Sequence, residues 1–250
     1  MIGVSQYREP DIPKLPFARR DAESVAAYLQ NVAGIRRENI RLISDNRATR
    51  SDIEEAVEQW LPRHTTATSS VVLYYAGHGA LDPATGDAYL VPHEGHPESP
   101  ATRMYSLKRL YEKLDALPAA NVTVLLDSCF SGGGRSIAMK GRPILIAGDN
   151  PALNSRKLVI LGAAGANQVS SDLESTGHGL FTYFLLKGLR GEADASHDGW
   201  VDLFELFNFV KTNVSSTALS KLDRQQTPTL AGSPDVDARA KALRLFRTGR

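Results

Sequence analysis

The sequence predicts an α/β fold, a mostly parallel central sheet flanked by helices on both faces. Strand-like and helix-like segments alternate along the chain. Three strands, "SVVLYYAG" (70–77), "VTVLLDS" (122–128) and "KLVILGAA" (157–164), are apolar at most positions, as strands covered on both faces must be. The 250 residues, 42% hydrophobic and 23% charged, suffice for one well-buried core, so residues 1–250 are expected to form a single domain.

The elements follow in order. "MIGV" is half of a first strand, so either residues precede Met1 or the strand is stunted. "RDAESVAAYLQNVA" (20–33) has apolar residues at helical spacing and stops at Gly34. "NIRLIS" (39–44) is a strand. "SDIEEAVEQWL" follows as a helix with Ser51 as N-cap and acidic residues in its first turn, where the helix dipole favours them. After strand 70–77, "SLKRLYEKLDAL" is a helix capped by Ser106. Beyond strands 122–128 and 157–164, "GLFTYFLLKGLRG" and "VDLFELFNFVKTNV" are helices, and "DVDARAKALRLFRTGR" is a basic terminal one. Residues 132–156, with glycines, prolines and basic residues, are the most linker-like stretch.

Composition narrows the function. A net charge of +1 argues against a nucleic-acid surface or a polybasic membrane surface. Apolar runs fall far short of the roughly 20 residues that span a bilayer, and the first residues lack a signal-peptide pattern. Cys129 is the only cysteine, so there is no intrachain disulfide and no Cys-rich zinc site. A reducing, cytoplasmic setting would keep that thiol usable.

Two strands end unusually. "VVLYYAGHG" closes on His78 between Gly77 and Gly79, and 51 positions later "VTVLLDSCFSGGG" closes on Cys129. Active sites of open parallel sheets lie at the carboxyl ends of strands. If the two strands are parallel neighbours, a thiol and a proton-transfer base emerge at one edge. The glycines permit a sharp turn, and the Gly79 and Cys129 N–H groups could form an oxyanion hole. A satisfied core histidine and a small buried cysteine would explain the apolar strands but not this pairing. Asp127, two positions before Cys129, faces the same side. A carboxylate there disfavours the thiolate unless the substrate brings a cation. The plainer role for Asp127 is capping the following turn.

"YYAGHG" (74–79) and "DSCFSGG" (127–133) resemble the caspase-like cysteine peptidases, in their metacaspase and bacterial (orthocaspase) branch. "LPFARRDAESVAAYL", "AAGANQVSSD" followed by "GHGLFTYFLLKGLRG", and "QTPTL" extend the resemblance over nearly the whole chain. It implies a caspase-like fold with His78 and Cys129 as catalytic dyad. It further implies cleavage after Arg or Lys, with acidic residues around that P1 side chain; the matching positions are Asp21 and Asp127. A solvated charge on the first helix is the plainer reading of Asp21. The serine often found two places before the family histidine is Ala76 here. The implied partners are protein or peptide substrates with a basic P1 and a regulatory partner or sensor. No cofactor is expected. The acidic cluster that binds activating calcium in many metacaspases has no clear match in "GALDPATGDAYLVPHEG", which speaks against calcium dependence.

Other readings compete. Cys129 and Arg135 have the Cys-x5-Arg spacing of a tyrosine-phosphatase loop, although Asp127 would repel phosphate. "DASHDGWVDLFE" (194–205) matches an EF-hand calcium loop, or else a turn capping the next helix. A catalytically inactive scaffold is a third possibility. Self-processing in the linker-like loop is expected at Lys140, Arg142 or Arg156, with Arg135 too near Cys129 to reach back and Lys157 at its end.

Overall fold

The computed structural model describes residues 1–82, 84–130, 151–165 and 168–247. The chain enters through strand β1 (Ile2–Gly3), helix α1 (Ala18–Asn31) and strand β2 (Ile43–Ser44). Helix α2 (Arg50–Glu55) continues through one wide turn (Ala56–Trp60) into α3 (Leu61–Arg63). Strand β3 (Ser70–Ala76) leads into the hairpin β4 (Gly79–Leu81) and β5 (Ala88–Leu90). Helix α4 (Pro100–Arg103), strand β6 (Tyr105–Ser106), helix α5 (Leu107–Asp115) and strand β7 (Asn121–Asp127) follow. Next come β8 (Leu158–Gly162), the ribbon β9 (Asp172–Leu173) and β10 (His178–Gly179), and helix α6 (Leu180–Lys187). Strand β11 (Trp200–Asp202), helix α7 (Leu203–Leu222), strand β12 (Thr229–Gly232), helix α8 (Val236–Ala242) and strand β13 (Arg244–Arg247) complete the described chain.

Six strands form the central sheet in the order β12–β8–β7–β3–β1–β2. All neighbours run parallel except β12, which lies antiparallel on the edge beside β8. Strand periodicity divides the core into two halves. Val71, Leu73 and Tyr75 of β3 join Val122, Val124 and Leu126 of β7 under α2 and α5. Tyr74 and Ala76 join Leu125 under α1, α6 and α7. Full burial of one such aliphatic or aromatic side chain stabilises the fold by about 1.5–3 kcal/mol.

Several boundaries differ from the sequence expectation. The N-cap of α2 is Thr49, whose hydroxyl accepts from the Asp52 N–H while the Asp52 carboxylate accepts from the Thr49 N–H; Ser51 falls inside the first turn. That reciprocal pairing satisfies two helix-end donors and places the N-cap two residues before Ser51. The strand over 39–44 shrinks to Ile43–Ser44 because Arg37–Asn39 forms a tight helical turn. The terminal helix ends at Ala242, and the alternating "RLFR" then pairs antiparallel with β11.

The first strand spans Ile2–Gly3. It pairs Ile2 with Tyr75 and Gly3 with Ala76, while β3 reaches back to Ser70. The Val4 N–H donates to the Ala76 carbonyl. Alternation therefore turns the backbone groups of Val72 and Ser70 toward the same side, beyond the reach of β1. A cavity of about 320 Å³ opens there, lined by Val71, Leu73 and Val57 from one face of the sheet and Leu29, Val72 and Phe246 from the other.

Candidate active site

The parallel register of β3 and β7 sets Ala76 opposite Asp127. His78 and Cys129 each follow two positions later, so two neighbouring strands about 4.8 Å apart deliver them to the same edge. Together with Asp21, Asp127 and Asp172 they line one cleft of about 40 Å³. The loops meet tightly: a methyl group at position 79 would stand 2.5 Å from the Phe130 ring and 2.7 Å from the Cys129 carbonyl oxygen. At position 77 it would stand 2.5 Å from the Tyr75 hydroxyl. Neither glycine has a positive φ. Close packing rather than left-handed backbone crowds both positions, against the Cys129 loop at Gly79 and against the Tyr75 phenol of β3 at Gly77.

His78 is 6% exposed and held from three sides. Its Nε2 donates to the Pro13 carbonyl at 2.7 Å, and since a carbonyl can only accept, Nε2 carries a proton and in the neutral ring Nδ1 does not. Its backbone N–H donates to the Tyr7 hydroxyl at 2.8 Å, and its carbonyl accepts from Tyr75 at 2.7 Å. The Tyr7 ring lies 5.0 Å from the imidazole. Burial pushes the Tyr7 phenol upward, which keeps it a neutral hydrogen-bonding group.

The Gly79 N–H is free of the hairpin ladder. The bonds Val91 N–H to His78 carbonyl and Asp82 N–H to Asp87 carbonyl mark the hydrogen-bonded pairs of the antiparallel ladder. Gly79, opposite Leu90, belongs to a non-hydrogen-bonded pair and turns its N–H away from β5. On the Cys129 side, the Ser170 N–H points at the sulfur, a contact that supports negative charge there.

Asp127 and Asp21 are both buried, 9% and 2% exposed. Asp127 shares the α1 and α6 face with Leu125. Its oxygens accept from the Ser170 hydroxyl at 2.7 Å and the Thr182 hydroxyl at 2.6 Å, and Thr182 pairs in turn with the Tyr74 hydroxyl at 2.6 Å. Burial, then the neighbouring Asp21 charge, push the Asp127 carboxyl up to about 7 against the pull of those hydroxyls. Asp21 is also raised by burial, opposed chiefly by its hydrogen bond with His178. His178 Nδ1 lies 2.5 Å from Asp21 Oδ1, and the Gly179 N–H donates to Asp21 Oδ2 at 2.9 Å. Asp21 is thus no solvated helix charge, and Asp127 is no mere turn cap.

Tyr7, Pro13, Ser170, Asp172, Thr182, His178 and Gly179 surround this site without a local pattern that assigns them to it, although Ser170, Asp172, His178, Gly179 and Thr182 lie within the stretches that carry the resemblance. Pro13 acts through its backbone, which leaves no side-chain signature. Gln226 of "QTPTL" also gains a position: it accepts from the Ser171 N–H and donates to the Ala163 carbonyl, fastening the Ser170 loop to the end of β8. Ala76 puts a methyl on the cleft wall. Arg135, Lys140 and Arg142 lie outside the described residues. Arg156 is exposed, but Lys157 is tied into the start of β8 through its backbone.

The segment 194–205 comprises a bend at 194–199, strand β11 and the first turn of α7. Asp202 and Glu205 form a capping box, the other Glu205 oxygen accepts from the Ser196 N–H, and Asp198 pairs with Arg244. Among the described residues no group of three or more His, Cys, Asp or Glu is placed to hold a metal ion, and no helix is long and apolar enough to cross a membrane.

The family model of the caspase domain matches residues 1–237. A protein from Geobacter sulfurreducens of known crystal structure superposes with a TM-score of 0.67 at 18% identity, covering 99% of this chain and 96% of its own. Caspase-1 from Spodoptera frugiperda superposes at 0.58 and 14% identity, covering 93% and 85%. Its proform superposes at 0.56 and 12% identity, covering 92% and 85%. No curated protein matches the sequence.

Proposed function

Because the chain has the caspase fold and belongs to the caspase-domain family, we propose that it is a cysteine endopeptidase that cleaves proteins after Arg or Lys. The observation that carries this reading is a single cleft holding a thiol, an imidazole of fixed tautomer and three carboxylates. Cys129 attacks the scissile carbonyl. His78 Nδ1 takes the thiol proton and passes it to the departing amine, while the Pro13 carbonyl keeps the opposite nitrogen protonated. The Gly79 and Cys129 N–H groups stabilise the oxyanion. Asp21 and Asp127, with Asp172 beside them, receive the basic P1 side chain. The same acidic lining repels phosphate, which disfavours a phosphatase. Protein substrates and a regulatory partner would meet this enzyme in the reducing cytoplasm, where its thiol stays usable. No cofactor takes part in these steps.

Self-processing is part of this reading, after Lys140 or Arg142. Arg156 is a poorer substrate in cis. It precedes β8, whose first residue pairs with Val122, about 16 Å of strand from the Asp127 end at roughly 3.3 Å per residue.

A fluorogenic peptide panel varied at P1, run with and without calcium, tests the proposal. Arg and Lys peptides should turn over and Asp peptides should not. Cys129→Ala should abolish turnover, and His78→Ala should reduce it at least about 10²-fold. Equal cleavage of Arg-P1 and Asp-P1 peptides would refute the pocket. A correctly folded wild type that cleaves none of them would favour a scaffold. Intact-mass comparison of wild type with Cys129→Ala reads self-processing in the same samples.

A further inference from the structure

The proposed basic-P1 pocket has a feature that its reading as a simple negative hole does not explain. Its two buried carboxylates converge on one point. A methyl group at position 179 would stand 2.8 Å from Asp127 Oδ2 and 3.1 Å from Asp21 Oδ2. Gly179 therefore forms the floor between them, with an ordinary backbone (φ −58, ψ 141) that only the neighbouring carboxylates reserve for glycine. The two carboxylates are held differently. Asp21 accepts from a backbone N–H and pairs with the His178 imidazole. The hydrogen-bonding partners of Asp127 are the neutral hydroxyls of Ser170 and Thr182. A hydroxyl can donate to a carboxylate or accept from a carboxylic acid, so this shell accommodates Asp127 in either state.

Resting on the basic-P1 reading, we propose that recognition at this pocket is an exchange of cations: the empty pocket keeps a proton on Asp127, and an entering Arg or Lys side chain displaces that proton to solvent. Two carboxylates facing one another in a dry site do not both ionise readily without a cation between them. The P1 guanidinium or ammonium is that cation, and the proton leaves when it arrives. Gly179 is the specificity-determining residue that leaves room for it. His178 is a positioning residue that holds Asp21.

The groups facing Asp127 all fit this assignment. Asp21 on α1 and Asp172 on β9 raise its proton affinity, with Arg20 acting on Asp21 from the same helix. Tyr74 on β3 is linked to it by hydrogen bonds through Thr182 on α6. Ser170 comes from the loop before β9, and His178 on β10 faces Asp21. Cys129 and His78 close the cleft on the catalytic side. A protonated Asp127 also removes a cost, since a carboxylate two residues from the thiol would otherwise oppose thiolate formation. The direction of its shift agrees: burial and Asp21 raise it to about 7.

The test is calorimetric titration of the Cys129→Ala protein with an uncleaved Arg-P1 peptide and its citrulline-P1 counterpart, in buffers of different ionisation enthalpy, from pH 6 to 8.5. Citrulline preserves shape without charge, so its proton count measures what His78 and the rest of the cleft contribute. The Arg peptide should release about 0.9 proton more than citrulline at pH 6 and close to none more at pH 8.5, and should bind about tenfold more weakly at pH 6 than at pH 8. In Cys129→Ala/Asp127→Asn, where the second change is near-isosteric, the extra proton should vanish. An Arg peptide that binds more tightly than citrulline with the same proton count overturns the exchange and leaves the basic-P1 reading standing. The same holds if the extra proton persists without Asp127. An Arg peptide that binds no better than citrulline at any pH overturns the basic-P1 reading itself, and the exchange with it.

Discussion

At the scale of single residues, Asp127 carries a stability cost that its position in the pocket explains. Its carboxyl is raised from 3.8 to about 7, with burial the largest cause. A carboxyl that ionises at higher pH in the folded chain than in the unfolded one binds more protons when folded, so its contribution to stability falls as pH rises from about 4 to about 7. Asp127→Asn removes that penalty while keeping the shape. Its melting temperature relative to wild type should be higher at pH 8, by at least a few degrees at 2–4 °C per kcal/mol for a chain of this size, and the gain should fade by pH 5. The same substitution should lose well over tenfold in kcat/KM on Arg substrates, because removing one partner of a buried charge pair costs about 2–5 kcal/mol. Melting scans at both pH values beside peptide kinetics check both halves. A gain in Tm independent of pH would contradict the assigned ionisation.

At the scale of elements, the catalytic pair depends on two strands of equal reach. Ala76 opposite Asp127 fixes the register, and the residues beyond this pair supply His78 and Cys129. The elements farther out stabilise without touching the chemistry. Helix α2 and the wide turn after it pack under the sheet through Ile53, Ala56 and Val57, and the start of α2 depends on the Thr49–Asp52 capping box. Thr49→Ala should lower unfolding free energy by about 1 kcal/mol and leave kcat/KM unchanged, as read by urea unfolding and peptide turnover. An equal loss from Ser51→Ala, and none from Thr49→Ala, would return the cap to the position that the sequence alone suggests.

At the scale of the whole molecule, the catalytic edge is closely packed and the opposite edge is open. Strand β1 covers only the last part of β3, and the 320 Å³ cavity begins where it stops. The cavity is apolar on both faces of the sheet, and the backbone of Ser70 and Val72 turns toward it, which is the surrounding a parallel strand requires. A segment of four or five alternating β-branched residues appended ahead of Met1 should extend β1 into this space. Each buried CH₂ adds about 0.8 kcal/mol before ordering costs, so the melting temperature should rise by several degrees. A Gly/Ser extension of equal length should leave it unchanged. Equal effects of the two would show that the space does not accept a strand.

Local periodicity is the part of this fold that can be read from residue order alone. Runs apolar at successive positions gave buried parallel strands, 3.6-residue spacing gave α1, α5, α6 and α7, and the i, i+2 rule put Asp127 on the side of its strand that faces the site. The strand-end placement of His78 and Cys129 follows from the same local pattern, because a strand's length fixes where its last residue emerges. Tertiary structure decided what depends on partners distant in sequence. The direction of β12 is set by the edge that only the assembled sheet offers, and the change from helix to strand at Arg244 by the partner strand β11. The inward aim of Asp21 depends on His178, 157 positions away, and the tautomer of His78 on a Pro13 carbonyl 65 positions away. A backbone carbonyl carries no residue-type signal, and a charged residue on an amphipathic helix reads as solvated until the packing of α1 against β10 and α6 buries it. The chemistry of this cleft is therefore legible in two short motifs, and its electrostatics only in the fold.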